Sequence, residues 1–278
     1  MKRLIPILLI LALALALGGC GDFAPDPTET PGTTVEYSFD RSNFPTIAGG
    51  EAQRPLAEAI AAIMLGETRE SASDMLSFCS TGEAWAALES GEAGLVLAAE
   101  PDELPEGVET AAVSRDALVF YVGAESPVDG MTTAQLKSVL AGGTKSWSGM
   151  GGTGDIIVLG RPEGSGSLAA VRRLIGADEL AVSEESAALT SNEVLGYGFY
   201  NEAVLMGLAD GYKLLAIDGV EPTAETIASG EYPLTVDVLA GISSSAAEDS
   251  PERALWLWLQ GGVGQAFISS QGYLEAAK

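Results

Sequence analysis

The 278 residues are 47% hydrophobic and 19% charged, enough for one large domain or two small ones and too apolar for a disordered chain. With 14 basic against 39 acidic residues the formal net charge is −25, which excludes a general nucleic-acid surface, because phosphate neutralisation requires clustered Lys and Arg. The chain has no histidine, and this removes Ser-His-Asp and Cys-His catalysis, His-ligated zinc and the usual near-neutral proton shuttle.

Lys2 and Arg3 precede an apolar run from Leu4 to Leu17, and Gly18-Gly19-Cys20 follow. The run is shorter than the roughly 20 residues a membrane-spanning helix needs, so the charged, apolar, small-residue order predicts a signal peptide over residues 1–19. Leu17-Gly18-Gly19-Cys20 resembles a bacterial lipobox. That resemblance implies a diacylated Cys20 holding the protein on the extracytoplasmic face of the cell membrane. Cys79 is the other cysteine and is then left without a disulfide partner, so it is expected to be packed rather than reactive. Residues 20–40 are rich in Pro, Thr, Gly and acids with no apolar period, as a solvated tether is.

From about Phe44, short apolar runs alternate with helical patterns, which predicts an α/β body with a largely parallel sheet. Pro55 opens a helix ending at Gly66, and residues 82–91 predict a short second one. The runs 94–99 and 117–122 read as buried strands. Thr132 or Thr133 caps a helix stopped by Gly142-Gly143. Residues 156–160 predict another buried strand, followed at once by Arg161-Pro162-Glu163-Gly164-Ser165-Gly166-Ser167 and the helix pattern LAAVRRLIG. Farther on, the stretch beginning at Val194 reads as a helix, YKLLAID as a strand, and residues 233–242 as a long strand. Two closing helices carry Trp256 and Trp258, which their apolar setting assigns to the core.

The strand, glycine loop and helix order around Arg161–Ser167 carries the most chemistry. Unpaired N–H groups and the positive dipole end at a helix start form an anion site, and glycine lets a ligand come close to the backbone. Ser165 and Ser167 can donate hydroxyl protons, Gly166 its N–H, and Arg161 a planar charged fork suited to a tetrahedral oxyanion. The plainer alternative is that Ser165 only caps the helix while Arg161 pairs with Glu163 on the surface. The loop has neither the GxSxG spacing of a nucleophile elbow nor the Lys-Ser/Thr of a Walker A sequence.

These segments, with "LVLAAEP", "TTAQLKSVLAGGTKSW", "GVEPTAETIASGEYPL" and "ALWLWLQGGVGQAFISSQGY" in the family's order, resemble the extracytoplasmic phosphate-binding lipoproteins of ABC phosphate importers, within the type II periplasmic-binding-protein superfamily. The resemblance covers most of residues 44–275. It implies a two-lobe α/β fold of mixed sheets flanked by helices, with lobe 1 formed by residues 41–118 plus 236–278 and lobe 2 by 119–235. It also implies a non-enzymatic role without a cofactor, inorganic phosphate or a related oxyanion as ligand, an ABC permease as partner, membrane attachment by the lipid alone, and a monomer. By position, Arg161, Ser165, Gly166 and Ser167 match the second-lobe anion loop and Thr81 a first-lobe hydroxyl donor. Glu100 falls where many members place an acid that accepts the proton of hydrogen phosphate. The first loop departs from the family pattern: Gly50 and Glu51 stand where hydroxyl residues are common. Backbone N–H groups of Gly50, Glu51 and Ala52 can still face a ligand if the Glu51 side chain turns outward. If it turns inward, the same fold would suit another small ligand, or a sensory lipoprotein that has lost capture.

Overall fold

The computed structural model describes residues 37–182, 192–207 and 211–277. The expected signal peptide, Cys20 and the tether up to Glu36 lie outside the described residues.

Strand β1 (Ile47–Gly50) leads through a 3-10 turn (Glu51–Gln53) into α1 (Arg54–Leu65), which has Pro55 in its first turn and Gly66 in the left-handed conformation at its end. The short α2 (Arg69–Ala72) and β2 (Leu76–Cys79) precede α3 (Thr81–Ser90). Next come β3 (Leu95–Ala99) and the long β4 (Val108–Gly123). Strand β5 (Gly130–Met131) runs into α4 (Thr133–Leu140), where Thr132 is the cap and exchanges hydrogen bonds with Gln135. The predicted strand at 156–160 shrinks to β6 (Ile157–Val158), ahead of α5 (Gly166–Ile175).

The stretch from Val194 is a correction: it forms strand β7 (Val194–Phe199) and then the short helix α6 (Tyr200–Leu205). All six β7 residues are buried, and a Cβ on Gly196 would lie 2.1 Å from the Tyr121 ring of β4. Glycine therefore lets this strand pass beneath that ring, a need that helical periodicity cannot reveal. The segment YKLLAID divides into β8 (Tyr212–Leu214) and β9 (Ala216–Ile217), which pair with β4 and β5 respectively. Helix α7 (Ala224–Ser229), strand β10 (Thr235–Ser243), helices α8 (Pro251–Gln260) and α9 (Gly262–Ser270), and β11 (Leu274–Glu275) complete the chain.

The main sheet has the order β2-β1-β3-β10-β4-β7-β6. Strands β2, β1 and β3 are parallel, whereas β10 runs antiparallel to both β3 and β4. The sheet is thus mixed rather than largely parallel. Its two-lobe character comes from β4. Residues up to Ala117 pair with β10, and Leu118–Gly123 pair with β7 and β8.

Buried apolar residues separate accordingly. One core gathers residues from Ala117 to Val236, with Ala52 and Ala99 reaching into it; a second lies between Phe44 and Val113 and between Val238 and Tyr273, and a third, smaller one joins Ala84, Trp85 and Leu88 of α3 to the strands beneath. In β1 and β3, Ile47, Leu95 and Leu97 face the core under α1 and α8, while Ala48, Val96 and Ala98 face α3. This period-2 split explains why these strands read as unbroken apolar runs: both faces are covered. Each buried Leu or Ile contributes about 1.5–3 kcal/mol of transfer free energy. Trp256 donates its indole N–H to the Ala240 carbonyl at 3.0 Å, and the partly buried Trp258 packs at a tilt against the Phe267 ring, so both closing-helix tryptophans serve packing.

Candidate functional site

Two helix starts converge on one cavity. At α3, Ser80 is the cap: its N–H and hydroxyl both donate to Glu83, at 2.9 and 2.8 Å, and hold that carboxyl below the usual carboxylate range. Thr81 is therefore the first helical residue, and it is buried. At α5, Ser165 is the cap; its Oγ accepts from the Leu168 N–H at 3.4 Å and keeps its own proton for another acceptor. The two loops touch: the Gly82 N–H donates to the Gly164 carbonyl at 2.9 Å. A Cβ on Gly166 would come within 2.6 Å of Thr81 Oγ1, so this close approach requires glycine at 166.

The cavity between these starts, of about 340 Å³, is lined by Gly50 to Gln53 from the first loop, by Cys79, Ser80 and Thr81, by Arg161, Pro162 and Ser165 to Ser167, and by Phe199 and Glu202. Its wall offers N–H groups at the start of α5, several hydroxyls and one guanidinium, a donor set suited to an oxyanion. Arg161 is itself engaged. Its Nε donates to Ser167 Oγ at 3.2 Å, and its Nη2 donates to both Glu202 oxygens at 3.1 and 2.9 Å. Cys79 is partly buried; burial, with help from Glu83 and Glu51, pushes its thiol up and makes it a poor nucleophile.

Gly50, Glu51, Thr81, Arg161, Ser165, Gly166 and Ser167 are thus brought to one cavity. The Glu51 carboxylate accepts from Arg54 Nε at 2.9 Å and Nη2 at 2.7 Å, which neutralises it beside its own helix start. Glu100 is the exception. It lies outside this cavity, in a surface depression with Leu104 and Arg115, with its carboxylate 3.4 Å from Arg173 of α5. Two arginines of α5 reach across to the loop after β3, Arg172 meeting Asp102 at 2.9 Å and Arg173 meeting Glu100. Glu163 accepts from Arg172 rather than from Arg161.

Sequence reasoning missed Gln53 and Glu202. Gln53 lies one residue beyond the loop positions that the family pattern singles out. Glu202 sat in a segment read as one helix, and its partner Arg161 is 41 residues away in the chain. A carboxylate shortly after an apolar run ending in Phe-Tyr was the available signal, and it has little specificity.

A family model described as "PBP superfamily domain" matches residues 28–249. The phosphate-binding protein PstS of Bacillus subtilis (strain 168) is 26% identical over 289 residues, covering 98% of this chain and 94% of that protein. PstS of Borreliella burgdorferi is 23% identical over 194 residues, covering 62% of this chain and 68% of its own. Among solved structures, a Clostridium perfringens protein with bound phosphate superposes with a TM-score of 0.66 at 20% identity, covering 83% of this chain and 98% of that one. An ABC-type phosphate transport receptor from Vibrio cholerae gives a TM-score of 0.62 at 18% identity, covering 82% and 98%.

Proposed function

This chain belongs to the PBP superfamily, and from that premise we propose that it is a non-enzymatic solute-binding protein that captures inorganic phosphate between its lobes and delivers it to an ABC permease. Residues 1–19 are the export signal in this reading, and lipidated Cys20 anchors the mature protein on the extracytoplasmic face of the membrane. The observation that carries it is the convergence of the α5 start, Thr81 and Arg161 on one cavity. The B. subtilis and B. burgdorferi relatives, both phosphate-binding proteins by name, support the choice of ligand.

The donors are nearly all neutral and fixed, so they act at contact distance, where the distant acidic surface is screened over roughly 8–10 Å. Phosphate would bridge the two loops and favour the closed arrangement through contacts available only there. Calorimetric titration of the detergent-solubilised full chain tests the reading: phosphate heat with one site per chain is expected, and a folded protein without heat at millimolar phosphate overturns it. Glu202 at the cavity favours a second reading, a receptor of the same fold for another small ligand. Competition among phosphate, sulfate, molybdate, arsenate and small organic anions separates the two.

A further inference from the structure

The first loop lacks the hydroxyl side chains that would donate to an anion, since Gly49-Gly50-Glu51-Ala52 carries none. The residue that follows, Gln53, is only 1% exposed and lines the cavity. Its Nε2 is enclosed and has no hydrogen-bond partner, so the NH2 meets a ligand only when the amide turns about its soft terminal torsion. Although Gln53 occupies the cap position of α1, its side chain makes no capping bond there. Its other amide atom, Oε1, lies 2.9 Å from where a Cβ on Gly50 would sit, and that point is 3.5 Å from Thr81 Oγ1. The amide, Gly50 and the Thr81 hydroxyl therefore share one wall, and it is glycine at 50 that leaves room for the amide.

A buried amide N–H without a partner destabilises a fold, so native proteins rarely keep one without a use. We infer that the Gln53 amide is the first-lobe donor to the bound oxyanion, in place of the hydroxyls absent at positions 50 and 51. This rests on the phosphate reading above. The amide suits the task chemically because it brings two N–H donors with no charge. Its terminal torsion is soft, so it can turn its NH2 to a bare phosphate oxygen or its carbonyl to a protonated one. A carboxylate at the same place could only accept.

The test is Gln53→Met in the full chain, with phosphate as the probe. Methionine keeps nearly the same length and removes the polar atoms. Thermal unfolding without phosphate and calorimetric titration with it are read together. A donor reserved for ligand predicts opposite signs: Tm equal to or above wild type, and phosphate Kd raised about tenfold to a hundredfold. A Kd within twofold of wild type overturns the inference. So does a lower Tm, which would mean that the amide serves the fold. Gln53→Glu keeps the shape but loses both N–H donors, so it must also bind phosphate more weakly than wild type at pH 8; wild-type affinity in that variant also overturns the inference. If the wild-type chain takes up no phosphate, the functional reading fails instead. The ligand-free Tm of Gln53→Met then still decides whether the amide is unpaired, and a fall in Tm overturns the inference.

Discussion

Arg161 Nη2 holds both carboxylate oxygens of Glu202, at 3.1 and 2.9 Å, at the edge of the cavity. Both side chains are largely buried, 29% and 17% exposed. The guanidinium, read from the sequence as a charged fork for an oxyanion or as a partner of Glu163, is half of an ion pair with Glu202, so an entering anion shares it with an internal carboxylate.

Replacing the guanidinium removes a charged donor and leaves Glu202 unpaired next to the anion. Arg161→Ala is expected to weaken phosphate binding by roughly 2–5 kcal/mol in calorimetric titration. An unchanged affinity would detach the 161–167 loop from the ligand.

Glu202 opposes an oxyanion that bears only lone pairs and can accept from one that bears a proton. Glu202→Gln is expected to raise the affinity for sulfate relative to phosphate by roughly tenfold or more, since it removes a like charge from a desolvated site. Competition calorimetry reads this ratio, and a ratio equal to that of wild type refutes the role.

Glu100 pairs with Arg173 outside the cavity, and the two side chains are 44% and 34% exposed. Glu100→Gln is therefore expected to leave phosphate affinity within about twofold and to cost no more than about 1 kcal/mol in urea unfolding, as exposed pairs do. A loss of phosphate-over-sulfate preference in this variant would restore Glu100 as the proton acceptor.

A Cβ at Gly166 would meet Thr81 Oγ1 at 2.6 Å, the Ala99 Cβ at 3.0 Å and the Phe199 ring at 3.1 Å. Gly166→Ala must push the start of α5 away from α3. The expected outcome is loss of phosphate heat with a stability cost of about 1–3 kcal/mol, typical of overpacking. Wild-type titration curves would show that the two helix starts need not approach so closely.

Asp116 lies on β4 beside the point where the chain passes between the cores, fully buried, with Oδ1 accepting from the Ala117 N–H at 2.8 Å and the Asn201 N–H at 3.1 Å. Burial pushes its carboxyl up to about 7, against the partial counter-effect of those backbone bonds. The folded value exceeds the unfolded one of about 3.9, so the fold retains this proton where the unfolded chain releases it. The associated stability is fully present below about pH 4 and is lost as pH rises through about 7, with a slope of at most about 1.4 kcal/mol per pH unit. Asp116→Asn keeps an acceptor for both N–H groups and removes the titration. Urea unfolding from pH 4.5 to 8 is expected to show the variant gaining on wild type as pH rises; parallel curves refute the shift.

Some of this protein could be read directly from residue order. Pro55 and Gly66 bracket α1, Thr132 caps α4 and Ser165 caps α5, because caps and breakers act through backbone groups within three or four residues of themselves. The unbroken apolar runs at 94–99 and 117–122 marked buried strand segments, which lie in β3 and β4. The stretch at 194–199 misled because Gly196 answers to Tyr121, 75 residues upstream, and a local period carries no record of that ring.

For the cavity the division is similar. Local chemistry alone determined that the start of α5 presents hydroxyls and N–H groups, since those donors belong to a single loop. Tertiary structure alone decided what faces them: Thr81 against Gly166, the carboxylate of Glu202 on Arg161, the amide of Gln53 behind Gly50, and Glu100 drawn off to Arg173. Each of these is a contact between segments distant in the chain. Its existence depends on how the cores and one long strand set the segments side by side, and charge and shape then select among the neighbours that packing supplies.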